Sequence, residues 1–243
     1  MIPRRPRNGR SSPSAGVETL ATAITASMRA KIMSGTWAPD ARLRLDMLRK
    51  HFNVSHTPLR EALSRLSEQG LVCIIDQRGY RVAPVSGRDL QQVIRLRLEL
   101  EAMALRDAIA AGDSAWVAGL VESHQTLIEL DAEARTNDTE RWEERHRRFH
   151  FALLQGCGVP LLMQFISTLH DQSDRYRRLF LRSHNHDRDV PAEHAAILDA
   201  TLARESDLAV ALLQRHIKRT GENILAAIGV VAAEPINELR SVI

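Results

Sequence analysis

Four histidines in the second half of the chain have the side chain and the spacing needed to bind a divalent metal ion. His146 and His150 are four residues apart, so on a helix both point the same way. His194 lies early in a later segment that Pro191 opens, and His216 lies near the end of another. Imidazole is a common ligand of Zn²⁺ and Ni²⁺. Ten histidines in 243 residues produce some such pairs by chance, so this pattern alone favours a metal site only weakly.

A second pattern, in residues 54–66, is typical of a helix that reads DNA. Ser55 is predicted to cap the helix by accepting a hydrogen bond from the N–H of Thr57. Arg60 and Arg65 lie outside the apolar stripe and point in different directions. A helix that buries one side and offers small polar and cationic side chains at its start suits the major groove.

Charge divides the chain into two parts. Residues 1–86 carry 14 Lys and Arg against 6 Asp and Glu, a net charge of +8, whereas the remainder carries −5. A basic front part suggests that this module binds a polyanion, although charge alone does not separate nucleic acid from an anionic membrane surface. No apolar run reaches 18 residues, no secretory signal is present, and only Cys73 and Cys157 occur. These features predict a soluble cytoplasmic protein without a membrane span.

The DNA-reading pattern needs neighbouring elements to position it, and the sequence predicts them. Residues 1–16 are rich in Arg, Pro, Ser and Gly and are expected to be a disordered basic tail, either a solvated segment or an arm that contacts phosphates. Residues 17–85 are predicted to form a winged helix-turn-helix domain. Its expected elements are helices at about 19–34, 45–52 and 55–69, and a hairpin of strands 71–75 and 79–85.

Residues 86–228 are predicted to form an all-helical bundle. Ser86 and Asp89 give the signature of a helix N-cap. Apolar periodic segments follow, separated by Asn, Gly and Pro, and no β-rich run interrupts them. The expected helices cover about 86–112, 114–134, 138–155, 161–182, 191–203 and 207–218. The tail, residues 229–243, is left unassigned.

Residues 20–85 resemble the GntR family of bacterial transcription regulators. The resemblance is carried by Gly35, Pro39 and Leu43, by the stretch 54–63, and by the Gly-Leu-Val entry at residues 70–72. It implies that a defined set of side chains faces DNA: Arg44, Ser55, His56, Thr57, Arg60, Arg65 and the wing tip Gln77, Arg78 and Gly79.

Two of these positions carry a qualification. The chain has His56 where relatives usually have arginine, so base preference there is not transferable. For Arg60 the alternative to DNA contact is an ion pair with Glu61 or Glu68.

Residues 86–220 resemble the FadR-type (FCD) ligand-binding domain of the same family. The matching residues are Arg97 to Glu101, Phe149-His150, Glu193-His194 and His216. The resemblance implies a divalent metal held by His150, His194, His216 and an Asp four residues before His150. That Asp position is His146 here, which favours Zn²⁺ or Ni²⁺ unless the site has been lost.

The resemblance also implies that a small carboxylate effector binds near the metal. Arg97 is the expected partner of this carboxylate. An ion pair with Glu101, four residues on, is the alternative role for Arg97.

Together these features predict a mainly α protein that acts as a homodimeric, ligand-responsive transcription regulator binding double-stranded operator DNA. Repression is the sign that the resemblance implies. Two alternatives remain open: a regulator for which the metal ion itself is the effector, and a metal-dependent hydrolase using Glu143 or Glu144. The absence of a catalytic signature such as HExxH argues against an enzyme. The sequence reveals neither the effector nor the operator.

Overall fold

The computed structural model describes residues 19–75, 79–133, 139–180 and 188–233. The elements within these ranges are, in order, α1 Leu20–Met33, β1 Arg42–Leu43, α2 Leu45–Phe52, α3 His56–Glu68, β2 Val72–Ile75, β3 Gly79–Val82, α4 Gly87–Ala111, α5 Ser114–Glu133, α6 Thr139–Gln155, α7 Pro160–Phe180, α8 Val190–Leu202 and α9 Ser206–Ala233. The expected basic tail at residues 1–16 and the wing-tip residues Gln77 and Arg78 lie outside the described residues.

The first three helices and a small sheet form the head, the N-terminal domain that is predicted to bind DNA. The apolar side chains of α1 and α3 meet in one core, in which Met28, Leu59 and Leu63 are fully buried. Asn53 ends α2 in the left-handed conformation, with φ of 51°, as the turn between the second and third helices requires. The predicted winged helix-turn-helix is therefore confirmed.

Two local features of the head differ from the prediction. The sheet gains strand β1, which pairs with β3 so that the strand order is β1-β3-β2. Ser55 occupies the N-cap position of α3, but its side chain makes no capping hydrogen bond, so the bond predicted to Thr57 is wrong. Pro58 removes one of the two amides that an N-cap oxygen normally reaches, and the Ser55 side chain is exposed.

Helices α4 to α9 form the predicted bundle, whose core contains Leu105, Phe149 and Leu213. The Ser86 hydroxyl caps α4 by accepting a hydrogen bond from the Asp89 N–H at 3.0 Å. The last helix is longer than predicted, because α9 continues past residue 218 to Ala233. Among the described helices, none has the length and apolar character that crossing a membrane requires.

Helix α7 joins the bundle to the head through polar contacts. The Asp171 carboxylate accepts a hydrogen bond from Arg29 of α1 at 2.6 Å. The buried Arg175 guanidinium donates to the Ala83 carbonyl at 2.5 Å, just after β3. The Tyr176 hydroxyl accepts from the Ser86 N–H at 3.0 Å. The linker between the two domains is therefore fixed to α7 instead of being a free hinge.

The turns of the head also approach α7 closely. Gly35 and Gly70 both have positive φ, at 75° and 70°. A Cβ atom at Gly70 would lie 2.8 Å from the Gln172 side chain, and one at Gly35 would lie 2.8 Å from the Leu179 side chain. Glycine at these two positions thus serves both the turn conformation and the close packing of the domains.

Candidate metal centre and nucleic-acid interface

Three helices of the bundle bring the four predicted histidines together. His146 and His150 lie on α6, His194 on the first turns of α8 and His216 on α9. All four side chains are buried, and one ligand atom from each lies within 4.8 Å of those of the other three. The i, i+4 pair on α6 has the common direction that helical geometry requires, with the two Nε2 atoms 3.2 Å apart.

Several imidazole nitrogens in this histidine cluster (His146, His150, His194 and His216) lack a hydrogen-bond partner. Among the described residues, nothing pairs with Nδ1 of His146, Nδ1 of His150 or either nitrogen of His194. A buried polar atom left in this way costs free energy, so the site is chemically incomplete as a purely protein structure.

The electrostatics of the cluster also favour metal ligation. Burial lowers the pKa of His146, His150 and His194 well below the usual 6.5, and the surrounding positive groups lower it further. The pKa of His216 is lowered by burial as well. Because a metal binds only the neutral imidazole, the rings are in the ligating state at neutral pH.

A carboxylate and two arginines form a hydrogen-bond network that begins at Nδ1 of His216. The Glu193 Oε2 atom lies 2.9 Å from His216 Nδ1, and Arg219 donates to Glu193 Oε1 at 2.6 Å. Arg188 contacts both carboxylate oxygens. Although partial burial by itself raises the pKa of Glu193, hydrogen bonds from His216 and Arg188 hold it far below its usual range. In the sequence, Glu193 is visible only as part of a motif, and no local pattern marks Arg188 or Arg219 as its partners.

Arg97, the predicted effector-binding residue, lies beside the cluster but is fully engaged. Its Nε atom donates to Glu101 at 2.5 Å, and its Nη1 atom donates to the Ser173 hydroxyl at 2.8 Å. His170 Nε2 lies 3.2 Å from Arg97 Nη2 and 3.1 Å from Glu101 Oε1. Burial raises the pKa of Glu101, but Arg97 and His170 lower it to about 2. The alternative role of Arg97, the ion pair with Glu101, is the contact that the structure shows.

A second buried ion network borders the cluster on α7. Arg177 donates to Glu143 and to Asp174, the latter at 3.0 Å. Arg147, between the two α6 histidines in sequence, lies 2.8 Å from Asp171 and 3.2 Å from Asp174. Each acidic group near the cluster therefore already faces at least one arginine. The Trp142 ring stacks on His146 with 4.6 Å between ring centroids.

Two surface grooves of about 330 and 620 Å³ flank α6, and neither is lined by a histidine of the cluster. The larger groove is lined by Trp116, Arg147 and Phe151, among other residues of α5 and α6. The four rings themselves pack with 4.5 to 6.2 Å between centroids. The histidine cluster therefore lies in the interior of the bundle and not in an open cleft.

The DNA-facing prediction concerns the exposed side of the head. Arg44, His56, Thr57 and Arg60 are all exposed on α3 or at the start of α2. Arg60 forms no ion pair with any described residue, so the alternative pair with Glu61 or Glu68 is not made. Its guanidinium is therefore available to a ligand.

Other members of the predicted set are placed differently. Glu61 pairs instead with Arg65, at 2.5 Å, and Arg65 also donates to the Thr22 hydroxyl at 3.1 Å. This contact ties α3 to α1, so Arg65 has a structural role in the free protein. Gly79 begins β3 with φ of 91°, next to the wing residues that the structure does not describe.

Comparison with known families assigns both domains. Residues 20–82 match the family described as bacterial regulatory proteins, gntR family. Residues 92–219 match the FCD domain. The first match covers α1 to β3, and the second covers most of the bundle, including all four clustered histidines.

Known proteins resemble the chain over most of its length. The HTH-type transcriptional regulator BphR of Paraburkholderia xenovorans is 36% identical over 209 residues, 85% of each chain. The HTH-type transcriptional repressor GlaR of Escherichia coli is 35% identical over 191 residues, covering 76% of this chain and 87% of that protein. The solved structure of E. coli McbR/YncC has a TM-score of 0.71 at 22% identity, covering 88% of this chain and 99% of the other.

These relatives are transcription regulators, and they do not support the metal-dependent hydrolase considered from the sequence. The two domain matches, the confirmed winged head and the helical bundle agree with one another. The chain is a member of the GntR family of bacterial transcription regulators, with an FCD ligand-binding domain behind its DNA-binding head.

Proposed function

We propose that this regulator senses a small carboxylate through a divalent metal ion bound by His146, His150, His194 and His216. The observation that carries the proposal is the convergence of four buried imidazoles from three helices, with one ligand atom of each within 4.8 Å of the others and no protein partner in the described ranges for either nitrogen of His194. A bound ion would take one nitrogen from each ring and would act as a Lewis acid toward an effector oxygen.

The donor set supports Zn²⁺ or Ni²⁺ as the ion. Four neutral imidazoles are borderline ligands, which suit these metals better than the oxygen-preferring Mg²⁺ or Mn²⁺. The two ions differ in whether they leave a coordination position for another ligand. Four ligands complete the tetrahedral coordination usual for Zn²⁺, whereas Ni²⁺ commonly accepts more ligands. A directly bound carboxylate therefore favours Ni²⁺, and a closed site favours Zn²⁺.

Charge balance supports an anionic effector. Because His146 is neutral, the four ligands leave the full +2 charge of the ion in the interior. Glu101, Glu143 and Asp174 are already matched by Arg97, Arg177 and Arg147. The remaining positive charge is best compensated by an anion from outside, such as a carboxylate. A role for Arg97 in holding that carboxylate stays a prediction, and it requires the guanidinium to exchange partners.

We further propose that the regulator acts in the cytoplasm as a homodimer on a two-fold operator. Two heads in a symmetric dimer place two recognition helices on half-sites about one helical turn apart. Exposed apolar side chains on α4 and α7, at Leu96, Met103, Leu161 and Phe165, are available for subunit contact. Repression is the proposed sign, as in the relative GlaR, whose name states that it is a repressor.

Helix α7 is the proposed link between the effector and DNA. One side of α7 carries His170, Ser173 and Asp174, which face the networks around the histidine cluster. Another side carries Asp171 and Arg175, which bind the head. A small shift of α7 on effector binding would therefore change the position of the head, and coupling of this kind is typically worth about 1–3 kcal/mol.

Replacing Asp171 with Asn is expected to weaken the junction between the domains. The Asp171 Oδ1 atom binds Arg29 at 2.6 Å and Arg147 at 2.8 Å, so the amide leaves Arg29 without its anion and leaves Arg147 with Asp174 alone. Because the Arg29 side chain is 34% exposed, solvent screening limits the loss to about 1–2 kcal/mol. In calorimetry we expect the head to unfold earlier, by roughly 5–10 °C, as a separate transition.

The exposed Asp107 of α4 provides the matched control for this substitution. Asp107→Asn removes the same charge from the surface of the bundle and should leave the unfolding profile unchanged. A profile for Asp171→Asn that superimposes on that of Asp107→Asn would show that the Asp171 contacts do not hold the domains together.

The proposed function is tested by measuring operator affinity with and without metal. We expect the chain to bind the promoter upstream of its own coding region at low ionic strength. A member of a panel of small mono-, di- and tricarboxylates should lower this affinity about 5- to 150-fold, and only when Ni²⁺ or Zn²⁺ is present. Equal release by the ion alone would support the metal-sensing alternative. No binding to this promoter under any of these conditions would contradict the proposal.

A further inference from the structure

We infer that Glu193 is a positioning residue for the metal site, because it fixes the tautomer of His216 that leaves Nε2 free to bind an ion. The inference rests on the proposed metal site. Glu193 is adjacent in sequence to the proposed ligand His194. Arg188 and Arg219 hold the Glu193 carboxylate in place.

Helix α8 sends two neighbouring side chains in different directions. His194 is buried within the histidine cluster, whereas Glu193 contacts Nδ1 of His216 on α9. The Glu193 carboxylate is 2.9 Å from Nδ1 of His216, which is the geometry of an N–H to carboxylate hydrogen bond. One turn of α8 thus supplies both a ligand and the group that orients another ligand.

Two groups compete for the same nitrogen of His216. Arg188 Nη2 also lies 3.0 Å from Nδ1, and a guanidinium only donates. If Nδ1 carries the proton, it donates to Glu193 and Nε2 keeps its lone pair. If Nδ1 accepts from Arg188, the proton sits on Nε2 and His216 is unable to bind a metal through that atom.

The surrounding contacts favour the bond to Glu193. The same Arg188 Nη2 atom has other acceptors, namely the His216 carbonyl oxygen at 3.0 Å and Glu193 Oε2. Arg188 Nη1 donates to Thr220 at 2.7 Å, so the guanidinium has partners without Nδ1. Glu193, which only accepts, lies 2.9 Å from Nδ1 and requires a proton there. Arg188 and Arg219 hold its carboxylate oxygens from two other sides.

His216 differs in this respect from the other three clustered histidines. In the described part of the chain, Nδ1 of His146, His150 and His194 has no hydrogen-bond partner. Their tautomers are therefore not set by a carboxylate, whereas that of His216 is. A carboxylate behind a ligating imidazole also raises its basicity, and loss of such a partner typically weakens metal binding about 10- to 100-fold.

The test compares Glu193→Ala and Glu193→Gln with wild type and with Glu222→Ala, an exposed acidic residue of α9. Nitrogen-15 NMR of the metal-free full chain reports the His216 tautomer, and His216→Gln identifies its signals. Calorimetric titration with NiCl₂ reports the affinity for Ni²⁺. We expect protonated Nδ1 in wild type, protonated Nε2 in Glu193→Ala, and Ni²⁺ binding about 10- to 100-fold weaker in that variant.

The Glu193→Gln variant separates loss of the contact to His216 from loss of folding. Its side-chain oxygen still accepts from Nδ1, so Glu193→Gln should keep the wild-type tautomer with an intermediate Ni²⁺ affinity. Protonated Nε2 in wild type, or a Glu193→Ala variant with the tautomer and affinity of Glu222→Ala, would overturn the inference. Absence of Ni²⁺ binding by the wild-type chain would instead overturn the proposed metal site, while the tautomer measurement would still decide the role of Glu193.

Discussion

Replacing His194 and His216 together with alanine is expected to abolish stoichiometric binding of Zn²⁺ and Ni²⁺. The two residues come from α8 and α9, so their loss leaves only the His146 and His150 pair on α6. An i, i+4 pair binds these ions far more weakly than four preorganised ligands, and we expect a loss of at least about 1000-fold. Elemental analysis after desalting should find about one ion per wild-type chain and close to none in the variant.

A second measurement separates metal loss from misfolding. Binding to the folded state stabilises a protein by mass action, so Ni²⁺ should raise the melting temperature of wild type and leave the double variant unaffected. His170→Gln is the control, because His170 is a buried imidazole beside the cluster that is held by Glu101. Full metal content in the double variant, or equal loss in the control, would show that the ligands are not those assigned.

Much of the fold follows from short-range patterns in the sequence. Apolar residues at intervals of four predict α1, and Ser86 with Asp89 predicts the start of α4. Asn53 predicts the sharp end of α2 because asparagine tolerates the left-handed conformation. The common direction of His146 and His150 also follows from helical geometry alone. Each of these features depends on residues within one or two turns of each other.

Features that depend on distant packing were missed. The predicted last helix stops at about residue 218, whereas α9 continues through Gly221 to Ala233. In the structure a Cβ at Gly221 would lie 2.1 Å from the Ile94 side chain, so glycine allows α9 to pass close to α4. Strand β1 has only two residues, too few to show an alternating pattern, and exists because β3 lies beside it.

The candidate site shows the same limit. The type and direction of the histidines are visible in the sequence, but their charged neighbours are not. The partners of Arg97 beyond Glu101 lie more than 70 positions away on α7, and the chain gives no local sign of them. The arginine that holds Glu193 from α9, Arg219, is 26 positions distant. Local patterns therefore predict which side chains could bind a metal ion. Tertiary packing determines which charged groups contact these side chains.

Replacing Arg60 with alanine is expected to weaken operator binding about 5- to 150-fold per half-site. Arg60 is exposed on α3, and it forms no ion pair with any residue in the described ranges, so its loss does not disturb the head. The apolar side of the same helix, with Leu59 and Leu63, remains buried. An arginine that contacts a base edge or a phosphate typically contributes about 1–3 kcal/mol. Fluorescence anisotropy with labelled promoter DNA at fixed salt concentration measures the change.

Arg95→Ala is the matched control, since it removes an exposed arginine from α4 in the bundle and changes the net charge equally. Both variants should keep the mass of the wild-type assembly. A comparison of the affinities for operator and for unrelated DNA then distinguishes a base contact from a phosphate contact. A base contact lowers binding to the operator more than to unrelated DNA, whereas a phosphate contact lowers both equally and reduces the salt dependence. If Arg60→Ala and Arg95→Ala bind the operator with the same affinity as wild type, α3 is not the helix that reads DNA.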